Sequence, residues 1–286
     1  MKEPAIKPAR VGINQSHYFF TLTGTTDIGF RVIAFKNTKD RGHALSACYG
    51  FELTLAVDQP LDGASLLNQK CRFTLTDEET SQELHGLVIM VTERGQNLGS
   101  YEYGVHLVSP LYPLKLNRQS RNFLRCTVVE IAQEVLKKGG FPMRLVQFQT
   151  RHDYPQLEFV AQFRESDYDF LCRQLARWGL FFYFEQTAES CRMVIRDHYQ
   201  GLPRQEQVRL ESIDWQRQAY QAETDCCTLA PGQTFTLTEH PDEAFNGDYL
   251  VVSVSHQGNL SNSGAATQNG AVRHYSNRLI LHRHAA

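Results

Sequence analysis

The chain lacks the short signatures of catalytic chemistry. It has no C-x-x-C, no G-x-S-x-G, no H-E-x-x-H, no G-x-G-x-x-G and no Walker loop. Those absences leave no thioredoxin-like redox pair, no hydrolase nucleophile elbow, no zincin helix and no phosphate-cradling glycine loop. It also lacks charge of one sign. A net charge of −2 on 286 residues gives no global field for nucleic acid or an anionic bilayer. Long apolar runs are missing too: Leu180–Phe184, as long as any, is far short of the roughly 20 residues a membrane helix needs. The N-terminus MKEPAIKPAR has no apolar core of the signal-peptide kind. The expectation is a protein made and assembled in the cytoplasm which, if exported, leaves without a cleaved signal.

Cysteine does not supply a framework either. The count of 7 is odd, and Cys48, Cys71, Cys126, Cys172 and Cys191 mostly lie inside apolar patterns, where they read as small buried thiols. Cys226 and Cys227 are adjacent; on a strand their side chains would face opposite ways, which argues against a shared bond or metal. A chain of this length can bury about 75% of its unfolded surface, so it needs no staple. Its 42% apolar and 21% charged residues are ordinary for a globular protein.

What is present is mostly strand. Tyr18–Thr23, Arg31–Lys36, Tyr49–Ala56, Cys71–Thr76, Leu84–Glu93 and Tyr101–Val108 are rich in β-branched and aromatic residues, with turn signals between them. In GFELTLAV, Phe51, Leu53, Leu55 and Val57 share one face, and Glu52 and Thr54 the other. TDEET (76–80) reads as a hairpin tip. The pattern suggests a first barrel or sandwich near residues 18–112, after a solvated tail over 1–17 carrying Lys2, Lys7 and Arg10. A helix-containing middle, 113–185, follows. Thr127-x-x-Glu130 is a capping box ahead of the stripe Val128, Ile131, Ala132, Val135 and Leu136, and Gly139-Gly140 ends it. Arg144–Gln162 reads as extended. In FRESDYDFLCRQLARWGLFFYFE, Ser166 with Asp169 caps a second helix, and Tyr168, Leu171, Cys172, Leu175 and Trp178 fall on one face. Gly179 stops that helix, and the aromatic strand Leu180–Phe184 is expected to be covered on both faces. Strands return at Cys191–Arg196, Gln233–Leu237, Asp248–His256 and Tyr275–Leu281. They define a second module over 186–286 that includes the Asn246-Gly247 turn and a polar loop at 260–271.

The remaining candidates for chemistry each have a plainer reading. His282-x-His284 has no Cys, Asp or Glu nearby, and the other histidines (His17, His43, His85, His106, His152, His198, His240, His256 and His274) lack ligand spacing. Ser255 and His256 are strand neighbours and face opposite ways. Glu165, Asp167 and Asp169 could suggest glycosidase carboxylates, but they crowd a helix N-terminus where acids meet the dipole favourably, and Asp169 with Arg173 is an i,i+4 pair. Arg118, Arg121 and Arg125 read as a solvated face, or as partners for an acidic patch on another subunit. No catalytic, cofactor-binding or metal residue is assigned, and no cofactor is expected.

Several segments resemble the VgrG spike proteins of type VI secretion systems. FRESDYDFLCRQLARWGLFFYFE resembles their R-E-S-D-x-D-F-L…G-x-x-Y-F-F stretch, HALSACYGFELTLAV an early L-S-x-x-Y-x-F-x-L strand, and LHGLVIMVTERG an F-H-G-x-V strand. VHLVSPLYPLKLNRQSRNFLRCTVVEIAQEVLKKGG and LAPGQTFTLTEHPDEAFNGDYLVVSVSHQG match the later motifs in order, so the likeness spans roughly 18–280. The resemblance implies a mainly β fold with two or three short helices and two β-barrel-like modules, as in phage baseplate hub proteins. It implies a homotrimer that gives pseudo-sixfold symmetry to a hexameric tail-tube protein. Baseplate proteins and an effector, adaptor or tip protein are the other implied partners, with no nucleic acid and no membrane insertion. An oligonucleotide/oligosaccharide-binding-fold domain and a β-helix spike normally follow beyond Leu281, and the tail HRHAA reads as a cut end. Between Arg209 and Thr228 the chain is shorter than the family's usual connection. Two other readings remain: the hub or late control protein of a contractile-tailed phage, and a cell-wall hydrolase.

Overall fold

A computed structural model describes residues 17–24, 28–38, 43–76, 80–97, 99–206, 208–216, 219–259 and 275–284. The tail with Lys2, Lys7 and Arg10, the centre of the 76–80 tip, the loop 260–271 and His274 lie outside the described residues.

The first module is made of β1 (His17–Leu22), β2 (Arg31–Asn37), β3 (His43–Ala44), β4 (Gly50–Val57), the one-turn helix α1 (Gly63–Leu66), β5 (Lys70–Thr76), β6 (Ser81–Asn97) and β7 (Ser100–Val108). Its strands pair in the order β1-β5-β6-β7-β4-β2. The sheet curls until its ends meet: Tyr18 of β1 packs edge-on against Phe35 of β2 at 4.7 Å. Period-2 alternation explains the curl's filling, since Phe51, Leu53, Leu55 and Val57 all point into the barrel.

The middle segment holds α2 (Pro113–Leu116), β8 (Arg118–Cys126), α3 (Val128–Lys138), β9 (Val146–Gln149), β10 (Leu157–Ser166), α4 (Asp167–Arg177), β11 (Phe181–Gln186) and β12 (Cys191–Arg196). Among the described residues the α-helices are four, two of them a single turn, where two or three were expected. α3 carries the full reciprocal capping box, and Val128, Ile131, Ala132, Val135 and Leu136 are its buried face. α4 starts at Asp167 with the Asp169 N–H donating to Ser166 Oγ at 3.0 Å, and Gly179 leaves it at φ +70. Phe170, off the expected stripe, is also fully buried, while Cys172 and Trp178 are only half-buried. β8 and β10 form a separate two-stranded ribbon; β11, β12 and β9 form a three-stranded sheet. The β11–β12 pair straddles residue 185.

The second module contains β13 (Ser212–Gln216), β14 (Ala219–Thr224), β15 (Thr234–Leu237), β16 (Gly247–Asn259) and β17 (Tyr275–Arg283). The short connection after Arg209 is not a loop. It folds into β13 and β14, an antiparallel pair with Trp215 opposite Tyr220, laid against β17. β16 pairs with β2 at Gln257↔Lys36 and with β3 at Val254↔His43, so one twelve-stranded sheet runs through both modules.

Three clusters fill the interior. The largest unites the first barrel with α3, α4 and the inner side of β11; Phe51, Phe73, Phe123, Phe170, Phe182 and Phe184 belong to it. A second fills the second barrel around Phe235, Tyr249, Leu279 and Leu281. A third, small one joins Tyr183, Val194, Leu202 and Leu250 across the junction. There Gly232, at φ +87, lies beneath the Tyr183 ring; a Cβ would come within 2.7 Å of it, so only glycine allows this approach.

Candidate functional site

The ribbon of β8 and β10 has two unlike faces. Leu124 lies opposite Phe159 and Asn122 opposite Ala161, and a bulge falls between Gln162 and Glu165. Alternation turns Arg121, Phe123, Val160 and Gln162 inward, where Phe123 stacks on Phe170 at 5.3 Å. The same alternation turns Leu124, Phe159 and Phe163 outward, at 65%, 59% and 70% exposure. Exposed arginines surround them. Arg118 donates to the Arg164 carbonyl at 3.0 Å, Arg164 lies over the Phe163 ring at 5.3 Å, and Arg125 follows Leu124.

Beneath the ribbon sits a buried carboxylate. Asp167 is fully buried; it is ion-paired to Arg121 and accepts from Asn117 Nδ2 at 2.5 Å and Gln162 Nε2 at 2.9 Å. Arg121 Nε also donates to Gln162 Oε1 at 3.0 Å. The arginine cluster is therefore split. Arg118 and Arg125 are solvated as expected, but Arg121 points inward, because its strand position is odd, and pairs within its own chain. Asp167 likewise does more than meet a helix dipole: it ties the ribbon to the start of α4. The Asp169–Arg173 pair does not form. Arg173 instead reaches Glu165 at 2.5 Å, and Asp169 accepts from Ser166 Oγ at 2.7 Å, which places both carboxylates in cap and ion-pair roles.

Two other titratable groups stand out. Asp197 accepts from the N–H groups of Arg151 and His152, from Tyr154, and from His198 Nδ1 at 2.8 Å. Burial alone would raise its carboxyl, yet the hydrogen bonds from His198, His152 and Arg151 hold it well below the ordinary carboxylate range. At the seam between modules, burial pushes His43 and His256 down to about 3. Both rings are neutral, and neither nitrogen of His43 has a hydrogen-bond partner. His256 is buried and its neighbour Ser255 exposed, so they face apart.

The sulfurs are quiet. Burial raises Cys71 and Cys191 to about 12 and Cys172 to about 11, far from thiolate chemistry. Cys126 and Cys172 are half-buried rather than buried, and Cys226-Cys227 lies in the connection after β14 rather than on a strand, with neither sulfur in a disulfide. Among the described residues no group of three or more His, Cys, Asp or Glu is arranged to hold a metal. None of their helices is long and apolar enough to cross a membrane.

The sequence pattern of the phage tail baseplate hub (GPD) family matches residues 43–212 and 202–263. This chain belongs to that family. Its curated relatives include the type VI secretion system spike protein VgrG4b of Pseudomonas aeruginosa, 30% identical over 67% of this chain and 23% of the relative. The actin cross-linking toxin VgrG1 of Vibrio cholerae is 24% identical over 82% of this chain and 29% of its own length. The chain thus spans about a quarter of these relatives, and its resemblance to VgrG spike proteins holds. The fold agrees. The Escherichia coli c3393 protein, described as a type VI secretion component similar to the T4 tail proteins gp27 and gp5, superposes with a TM-score of 0.80 at 16% identity over 93% of this chain and 77% of its own. A Neisseria meningitidis tail protein gives 0.61 at 10% identity over 93% and 96%. The hub fold, two barrel-like modules with few helices, is the one the sequence led us to expect.

In LNRQSRNFLR the charge of Arg118, Arg121 and Arg125 masks a strand: Gln119, Arg121 and Phe123 alternate with Ser120, Asn122 and Leu124.

Proposed function

We propose that this chain is a structural hub of a contractile injection machine of the type VI secretion kind, joining tail tube and baseplate to a spike. The observation that carries this is the family match across residues 43–263. The continuous sheet through both modules fits a part that must transmit force. In this reading three copies assemble, and their six barrel modules face a hexameric tube protein. Baseplate proteins and an effector, adaptor or tip protein are further partners; a Francisella PdpA–VgrG complex of the same fold, with a TM-score of 0.57 at 10% identity over 88% of this chain and 53% of its own, is consistent with such company. The hub is not an enzyme, has no catalytic, cofactor or metal residues, inserts in no membrane and binds no nucleic acid. It assembles in the cytoplasm and leaves with the spike. We place the start of the second module after Arg196, because β12 belongs with β11.

Deleting the gene tests this reading. Release of the tube protein into the medium should stop and return on complementation; undiminished release would refute it. Lysis of purified cell wall by the protein would refute the non-enzymatic part. The phage-hub reading is favoured by the likeness to the Neisseria tail protein. Flanking genes for capsid and tail fibres, in place of a tube, sheath and AAA+ ATPase, would select it.

A further inference from the structure

The outer face of the ribbon needs an occupant. Phe159 and Phe163, each more than half exposed, present about 250 Å² of aromatic surface, and Leu124 with Ala161 brings the face to about 400 Å². The apolar share of one side of a standard interface is about 450–520 Å², so this face is nearly enough to be the centre of one. Its rim is mostly basic: Arg118, Arg125 and Arg164 are exposed around it, Glu165 is taken by Arg173, and Glu158, exposed beside Phe159, is the other carboxylate of the strand. A different surface, apolar and acidic, complements this rim.

Such a surface exists on the second module. Among the described residues β13 pairs only with β14, and β15 pairs with β16, apart from one bridge between Thr234 and Arg204. Between these two edges lies an open groove of about 440 Å³, lined by Val208, Leu210, Ile213 and Leu237, with Glu239 at its lip. Asp242 and Glu243 are exposed on the same loop, against Arg209 as the groove's one arginine.

We propose that the β8–β10 ribbon of one copy docks into the β13–β15 groove of the next, head to tail, so that the contact closes into a ring. This rests on the homotrimeric hub reading and names the surfaces that make it. A heterologous contact of this kind can repeat, closing into a ring when its rotation is a whole fraction of a turn, whereas an isologous one stops at two.

The test uses sedimentation velocity on the whole chain over a concentration series. The wild type should shift towards three protomers as concentration rises. A ribbon variant, F159D with F163D, and a groove variant, E239R with E243R, should each stay monomeric, with melting temperatures close to wild type since all four positions are exposed. Mixing the two variants should restore a one-to-one pair, because one intact ribbon then meets one intact groove. The proposal is overturned if either variant assembles like the wild type, if the mixture stays monomeric, or if the wild type stops at a dimer. A wild type that assembles regardless of the ribbon variant would leave the hub reading standing and remove this contact. A wild type that never assembles would also remove this contact, while the hub reading is judged separately by release of the tube protein.

Discussion

β10 and β11 are alike in sequence and opposite in circumstance. LEFVAQF and FFYFEQ are both aromatic strands of the middle segment. In β11 every aromatic is covered: Phe182 and Phe184 enter the main core, while Phe181 and Tyr183 meet Val194, Leu202 and Leu250 on the far side. In the LEFVAQF part of β10 only Val160 and Gln162 are buried, and Phe159 and Phe163 are left to solvent. An aromatic's burial is set by whether a second layer exists, not by its own hydrophobicity. β11 is sandwiched between α4's side of the core and the second barrel; β10 has α4 on one side and, among the described residues, nothing on the other.

The largest expected effect lies in the covered strand. Phe182→Ala should cost about 3–5 kcal/mol, seen as a sharp fall in melting temperature and in recovered folded protein. Beneath the ribbon, Arg121→Met should cost nearly as much, about 3–5 kcal/mol, because it strands the buried Asp167 carboxylate. Adding Asp167→Leu should recover most of that loss in urea unfolding; no recovery would mean the ribbon is not held by this pair.

The seam between modules should show a pH effect. Unfolded, His43 and His256 titrate near 6.5; folded, burial holds them at about 3. Above pH 6.5 both states are neutral and nothing is lost. As pH falls from 6.5 towards 3 only the unfolded chain takes up protons, so stability declines, by up to about 1.4 kcal/mol per pH unit for each histidine. The urea midpoint should fall steadily through this window, and a His256→Asn variant should be less pH-sensitive. A flat profile would count against neutral buried rings. Smaller still, Ser166→Ala should cost about 0.5–2 kcal/mol as the α4 cap is lost; an unchanged melt would move the start of that helix.

Most of the architecture was legible in the chain. The alternation in GFELTLAV, the Thr127 capping box and the Gly179 stop each report a local rule that the fold obeys. What escaped were features set by contacts distant in sequence. Asp167 looks like a dipole-facing acid until Arg121, 46 residues earlier, is brought against it. β13 and β14 look like a shortened connection until β17 offers them an edge. Phe159 lies in a stretch that reads simply as extended, and its exposure shows only when no described residue covers that face.

The central claim is that β11 is core and the outer face of β10 is surface kept for assembly. Parallel thermal melts of Phe182→Ala and Phe159→Ala, at a concentration where the wild type is monomeric, test it most directly. The account predicts a loss of about 3–5 kcal/mol for the first and within about 0.5 kcal/mol of wild type for the second. Equal losses, or a Phe182→Ala protein with its melting temperature intact, would contradict it.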